Sequence, residues 1–171
     1  MTGRPSRSAA TPALRALVRA GVDHEVIVFE SAASPRSGYG AEAAEVLGLD
    51  AAEVFKTLMV QLPDGSLAVA FVPVSGTLDL RVAAAAFGVK KVALADPALA
   101  ERRTGYVVGG ISPLGQKHPA PTVIDASALD LPAIHVSAGQ RGLEVRLAPE
   151  DLVALTSAVV ARITAPHGDP R

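Results

Sequence analysis

Thr57-Leu-Met-Val-Gln-Leu-Pro63-Asp64-Gly65-Ser-Leu67-Ala-Val-Ala-Phe-Val72 carries two apolar, β-prone runs, 57–62 and 67–72, on either side of a Pro-Asp-Gly turn. Proline presets one turn dihedral, and aspartate and glycine tolerate the tight backbone that follows, so the stretch predicts a β-hairpin. A hairpin joins antiparallel neighbours. This excludes a purely parallel, regularly wound sheet in which a helix follows every strand.

Outward from the hairpin, the same criteria predict strands at 26–29, 91–94, 122–124, 134–136 and 143–147. Helices are predicted between them. Thr11 caps one that has Pro12 at its first position and stops at Gly21. Residues 41–47 form a second, ended by Gly48, and Asp50 with Glu53 makes a capping pattern for a short turn after it. A third covers 79–87 and stops at Gly88; Asp96-Pro97 opens a fourth; Pro149 opens a last one running to about Ile163. Helices alternate irregularly with hairpins. The expected class is therefore mixed α/β (α+β), a largely antiparallel sheet of about six to seven strands surrounded by helices.

The chain has 171 residues, 49% of them hydrophobic, which suits one domain with an ample core. Aromatics are only 4%, so that core is built from Ala, Val, Leu and Ile. The expected organisation is a disordered leader at 1–10, a single domain at 11–164 and a flexible tail at 165–171. No cysteine is present, which removes disulfides, thiolate metal sites and a cysteine nucleophile. No secretory or membrane-spanning run is found, and the expected location is the cytoplasm. A net charge of -1 argues against a protein that coats nucleic acid through bulk positive charge. It leaves room for local patches at Lys90-Lys91, Arg102-Arg103 and Lys117-His118, each of which also reads as solvated surface.

Several signatures nearly appear. Gly38-Tyr-Gly40-Ala-Glu-Ala43 fits a dinucleotide-binding pattern, but eight residues separate it from the preceding strand, where immediate succession is required. Gly110-Ile-Ser-Pro-Leu-Gly115-Gln-Lys117 has phosphate-loop glycine spacing, with the lysine one place late and no Ser or Thr after it. Ser112 fails as a hydrolase nucleophile because Pro113 follows directly and lacks the N–H that would serve an oxyanion hole. His24, His118, His135 and His167 are scattered without ligand spacing, read as surface or lightly packed residues, and predict no metal.

Two features remain. Thr104-Gly-Tyr-Val-Val-Gly109-Gly110-Ile-Ser-Pro-Leu-Gly115-Gln-Lys117 sets four glycines among apolar residues. It reads either as an irregular core crossing or as a wall whose N–H groups face a small substrate and a developing oxyanion. Lys56 shares a strand face with Leu58 and Val60 in a chain with four lysines against twelve arginines. It either snorkels to the strand end or lines a wet cleft that needs a compact ammonium.

Four segments together resemble the YbaK/EbsC family of aminoacyl-tRNA deacylases. They are Val54-Phe-Lys56-Thr-Leu; Val72-Pro-Val-Ser-Gly76 with Leu78-Asp-Leu80; the glycine-rich segment from Thr104 to Lys117; and Val136-Ser-Ala-Gly-Gln-Arg-Gly-Leu143. The similarity runs from about Thr11 to Ile163. The resemblance implies hydrolysis of mischarged tRNA without metal or cofactor, with cysteine on tRNA(Pro) as the expected substrate and prolyl-tRNA synthetase as a partner. Deacylation of alanine or serine, or a non-catalytic module that binds an aminoacyl end, are the alternatives. Lys56 matches the family's functional lysine and, with Gly109 and Gly110, is assigned to catalysis. Ser112, Pro113, Gly115 and Ser137 match its substrate site. Phe29 stands where the family has a functional tyrosine, and Glu144 where it has an aspartate; both departures bear on substrate preference. The family reaction lets the substrate's own thiol attack its carbonyl, so the protein needs no nucleophile.

Overall fold

The computed structural model describes residues 11–32 and 38–165; the expected leader at 1–10 lies outside these residues, as does the expected tail at 165–171 except for Ala165, which pairs with Thr77. The hairpin forms β2 (Phe55–Gln61) and β3 (Leu67–Pro73), in register from Phe55 opposite Pro73 to Gln61 opposite Leu67. Asp64 fixes its turn, accepting hydrogen bonds from the N–H and the hydroxyl of Ser66. Strand β5 (Ala93–Leu94) continues the sheet antiparallel to β2, while β6 (Thr122–Asp125) and β9 (Val159–Ala161) extend it in parallel on the other side. The order is β5-β2-β3-β6-β9.

A second, antiparallel sheet holds β1 (His24–Val28), β8 (Leu143–Leu147) and β7 (Ile134–Gln140), in that order. A two-residue pair joins β4 (Thr77–Leu78) to β10 (Thr164–Ala165). The fold is mixed α/β as expected. Its strands are divided between sheets, which meet where Val54, the residue before β2, forms a parallel bridge with His135 of β7.

Helix α1 (Pro12–Ala20) is capped by the Thr11 hydroxyl, which accepts from the Leu14 N–H; α3 (Leu80–Phe87) and α4 (Pro97–Thr104) are capped in the same way by Asp79 and Asp96. Helix α2 (Tyr39–Leu47) has no side-chain cap. Helix α5 spans only Pro149–Thr156, shorter than predicted. Ser157 adopts a left-handed conformation, φ 54°, and the β-branched Val159 and Val160 pair with Val123 and Ile124 of β6. Strand pairing therefore overrides the helical reading of that segment.

Period-two alternation on β3 sends its side chains to two cores. Phe71 stacks on Phe55, ring centroids 5.4 Å apart, and packs with Leu17, Ile124, Val136, Val145 and Leu152 between the sheets. Ala68, Ala70 and Val72 face Ala83 and Ala84 of α3 on the other side. Small residues on both surfaces let helix and sheet approach closely, which is how so few aromatics suffice. Among the described residues no helix is long and apolar enough to cross a membrane.

Candidate active site

Beyond the Val54–His135 bridge, β2 and β7 separate, and a cavity of about 220 Å³ lies near that separation. Phe55, Lys56, Thr57 and Leu58 of β2 form one wall, Ser137 and Glu144 another. Tyr39 and Gly40 of α2, with Val108, Gly109 and Ile111 of the glycine-rich loop, complete it.

Each wall follows from local structure. Strand β2 pairs with β5 only at Val60 and Gln61, leaving the edge of its first half open. Met59 turns its carbonyl to that side, where it accepts from the Ala95 N–H, and Val69 opposite donates away from β2 to Pro121. Alternation then directs the Thr57 peptide groups to the open edge as well. On β7, the His135 N–H donates to the Glu53 carbonyl, and the Ser137 peptide points to the same side. Helix α2 starts beside Lys56: a Cβ on Gly40 would stand 3.6 Å from the Lys56 Cβ. Glu42 of α2 holds the preceding segment, accepting from Ser31 Oγ and the Ala32 N–H.

Loop residues Val107 to Gly110 form a turn closed by a bond from the Gly110 N–H to the Val107 carbonyl, 2.9 Å. Gly109 sits at its third position with φ 90°, which favours glycine. The Tyr39 ring lies so close that a Cβ on Gly109 would come within 2.7 Å of it. The Val108 N–H donates to Glu101 of α4, and Arg141 donates its Nε–H to the Val108 carbonyl while stacking 4.7 Å over Tyr39.

Electrostatics mark the same place. Glu144 is buried, and desolvation pushes its carboxyl up to about 8, so it is largely protonated at neutral pH. Burial lowers the pKa of the Lys56 ammonium. Among the described residues three buried side-chain polar atoms lack a partner, Thr57 Oγ1, Glu144 Oε2 and His135 Nδ1; the first two belong to residues lining the cavity. Buried polar atoms are rarely left unpaired, so these two mark the cavity wall as the place where the fold leaves hydrogen-bonding capacity unused.

The predicted site residues divide. Lys56, Gly109, Ser137 and Glu144 line the cavity. Gly110 is buried against the Gln140 and Arg141 backbone, and its N–H is occupied in the turn, so it offers no oxyanion donor; the Gly109 N–H has no protein acceptor among the described residues. Ser112 is fully buried and its Oγ accepts from the Leu114 N–H. Pro113 and Gly115 border a separate space of about 170 Å³ with Ala16 and Leu155, and Gly115 packs against Pro12 of α1. Phe29 packs on Ala43, Ala44 and Val54. The glycine-rich segment is thus both things its sequence allowed: a wall in its first half and a core crossing in its second.

His135, read from sequence as surface or lightly packed, is buried at the inter-sheet bridge because its strand position faces β2; His24 and His118 are half-buried and exposed, and His167 lies outside the described residues. Tyr39, Thr57 and Arg141 were not predicted. The available signal for Tyr39 was one of only two tyrosines in the chain, flanked by Gly38 and Gly40. Among the described residues no group of three or more His, Cys, Asp or Glu could hold a metal ion.

Residues 35–155 match the aminoacyl-tRNA editing domain family. The chain belongs to that family. Its reaction class is therefore hydrolysis of the ester between an amino acid and tRNA. An Enterococcus faecalis protein provisionally named the Cys-tRNA(Pro)/Cys-tRNA(Cys) deacylase EbsC is 41% identical over 121 residues, covering 71% of this chain and 74% of its own. A crystal structure described as a candidate trans-editing enzyme for prolyl tRNA synthetase superposes with a TM-score of 0.80 at 27% identity, covering 95% of this chain and 100% of that one. The hypothetical protein APE2540 also superposes at 0.80, with 26% identity and coverages of 91% and 100%.

Proposed function

We propose that the protein is a trans-editing deacylase that removes cysteine from Cys-tRNA(Pro) in the cytoplasm, acting beside prolyl-tRNA synthetase. The observation that carries this reading is the small cavity, about 220 Å³, with a half-buried ammonium and two unpartnered buried polar atoms. It lies below the ~300 Å³ at which pockets for drug-sized ligands begin. It suits an aminoacyl group and leaves the nucleotide outside. The names of the two relatives support the choice of cysteine and of tRNA(Pro).

Among the described residues the cavity contains no activated protein nucleophile. Ser137 Oγ accepts from the Gly139 N–H, and the carboxyl facing it across β7 and β8 is largely neutral and so a poor base. The substrate supplies the nucleophile: its thiol sulfur bonds to the ester carbonyl carbon, the bond from that carbon to the ribose oxygen breaks, and the thiol proton ends on the ribose hydroxyl. Water then opens the resulting thiolactone to free cysteine. The Gly109 N–H faces the developing oxyanion, and Lys56 stabilises its charge or holds the terminal adenosine. Glu144 and Thr57 orient the amino acid. Positioning supplies much of the rate, as suits an ester that is already activated.

The test is single-turnover deacylation of cysteine, alanine and serine esterified to tRNA(Pro). Cysteine should clear fastest, with a rate rising toward the thiol pKa of ~8.5. Equal rates for alanine and cysteine would exclude thiol assistance and make water the attacking group; no hydrolysis of any of them would reject the deacylase assignment.

A further inference from the structure

The fold brings together two basic doublets that lie apart in sequence. Arg102 and Arg103 occupy the last turn of α4, and Lys117-His118 follow the glycine-rich loop. The Lys117 N–H donates to the Thr104 carbonyl at 2.8 Å and the His118 N–H to the Arg103 carbonyl at 3.1 Å. These bonds close the neck of the loop and set all four residues at one exposed place. Gly105 makes room for this: with φ 80°, it lies beneath Lys117, whose Cβ would be 3.3 Å from a Cβ added there.

We infer that this neck is a seat for backbone phosphates of the tRNA acceptor end, leading the strand to the cavity at the loop's other end. The inference rests on the deacylase reading. Val108, which lines the cavity, is four positions after Thr104, so neck and cavity are at most ~14 Å apart along the chain. That is the span of the last few nucleotides of a strand whose aminoacyl group occupies the cavity. Arginines at a helix C-terminus also complement the helix dipole, and that would explain Arg102 and Arg103. It does not explain why the loop returns Lys117 and His118 to the same spot. The preceding carboxylate, Glu101, is turned to the loop, accepting from the Val108 N–H. Arg141 stands at the far end, with its Nε on the Val108 carbonyl. In a chain of net charge -1, this convergence concentrates positive charge where a polyanion must pass.

The experiment compares the full-length protein with the charge-reversal variant R103E/K117E and with a control, K90E/K91E, in which the third basic doublet is reversed. Affinity for uncharged tRNA is measured by fluorescence anisotropy over a salt series, alongside hydrolysis of a 3′-aminoacyl-adenosine, which has no acceptor-strand phosphates. R103E/K117E should bind tRNA at least about tenfold more weakly, with a salt slope shallower by ~1.4 for two lost single-strand contacts. It should hydrolyse the small ester at the wild-type rate. R103A/K117A should show a smaller loss in the same direction and serves if the reversal impairs folding. Unchanged affinity and slope, an equal loss in K90E/K91E, or a loss of small-ester hydrolysis in a folded R103A/K117A variant would each overturn the inference. Failure of the wild-type protein to hydrolyse any aminoacyl ester would instead reject the deacylase reading, and the anisotropy comparison would still decide the surface.

Discussion

Ser137 and Glu144 stand opposite one another across β7 and β8, at the last pair before the register shifts. Only the glutamate is left with an unpartnered buried oxygen, Oε2. Burial of that carboxyl sets a pH dependence with a definite sign. Folded Glu144 keeps its proton up to about 8, whereas the unfolded side chain releases it near ~4.3. Between those values the native state binds more protons than the unfolded one, so stability falls as pH rises and levels off above the upper value. Glu144→Gln removes this titration. The wild type should lose stability relative to Glu144→Gln from pH 5 to 8, by up to roughly 1.4 kcal/mol per pH unit, read from denaturant midpoints. Parallel stability curves for the two proteins would contradict the assigned burial.

Lys56→Ala should lower single-turnover deacylation at least about tenfold, the loss of more than ~1.4 kcal/mol of transition-state stabilisation. Its thermal midpoint should stay near the wild-type value. Lys56 is half-buried on the cavity wall, and desolvation disfavours its charge, so removing it relieves a cost to folding while taking a cation from the site. Near-normal turnover, or a variant that simply unfolds, would contradict this role.

Gly109→Ala and Gly110→Ala should fail differently. A methyl on Gly109 strikes the Tyr39 ring at a positive φ, so it should displace a cavity wall and reduce turnover more than stability. A methyl on Gly110 meets the Gln140 backbone at 2.9 Å, which cannot swing aside, and should cost about 1–3 kcal/mol of stability. Thermal melts and turnover measured on both variants separate the two effects.

Ser112→Ala should keep substantial turnover and lose about 0.5–1.5 kcal/mol, the worth of the hydrogen bond from the Leu114 N–H to its Oγ. Mass spectrometry of the quenched reaction should show no acyl group on Ser112. A trapped acyl-Ser112 would overturn the mechanism.

Much of this was legible because it is local. Thr11-Pro12 and the capping aspartates Asp79 and Asp96 fix helix starts through bonds to residues two or three places away. The β2–β3 hairpin is decided by its own turn. Lys56 stood out because period two alone places it among apolar residues. What was illegible depends on distant partners. Val159 and Val160 become a strand only because β6 offers a parallel edge. Ser112, Pro113 and Gly115 share one glycine-rich segment with Gly109, and composition cannot show that the chain turns into the core between Ile111 and Ser112. Thr57 gave no signal, since a threonine in a strand is ordinary until its neighbour strand is known to be absent.

The meeting of β2 and β7 at a single bridge, Val54 with His135, has a consequence for how such proteins diverge. Among the described residues the bridge is where the two sheets pair, so the residues at it help set the spacing of the cavity walls that β2 and β7 supply. Val54 packs on Ala43 and Ala44 of α2 and does not itself line the cavity, so exchanging it for a larger or smaller residue would shift that spacing without replacing a lining group. Selectivity among small side chains can thus drift through changes behind the pocket, while lysine and glycine loop stay in place.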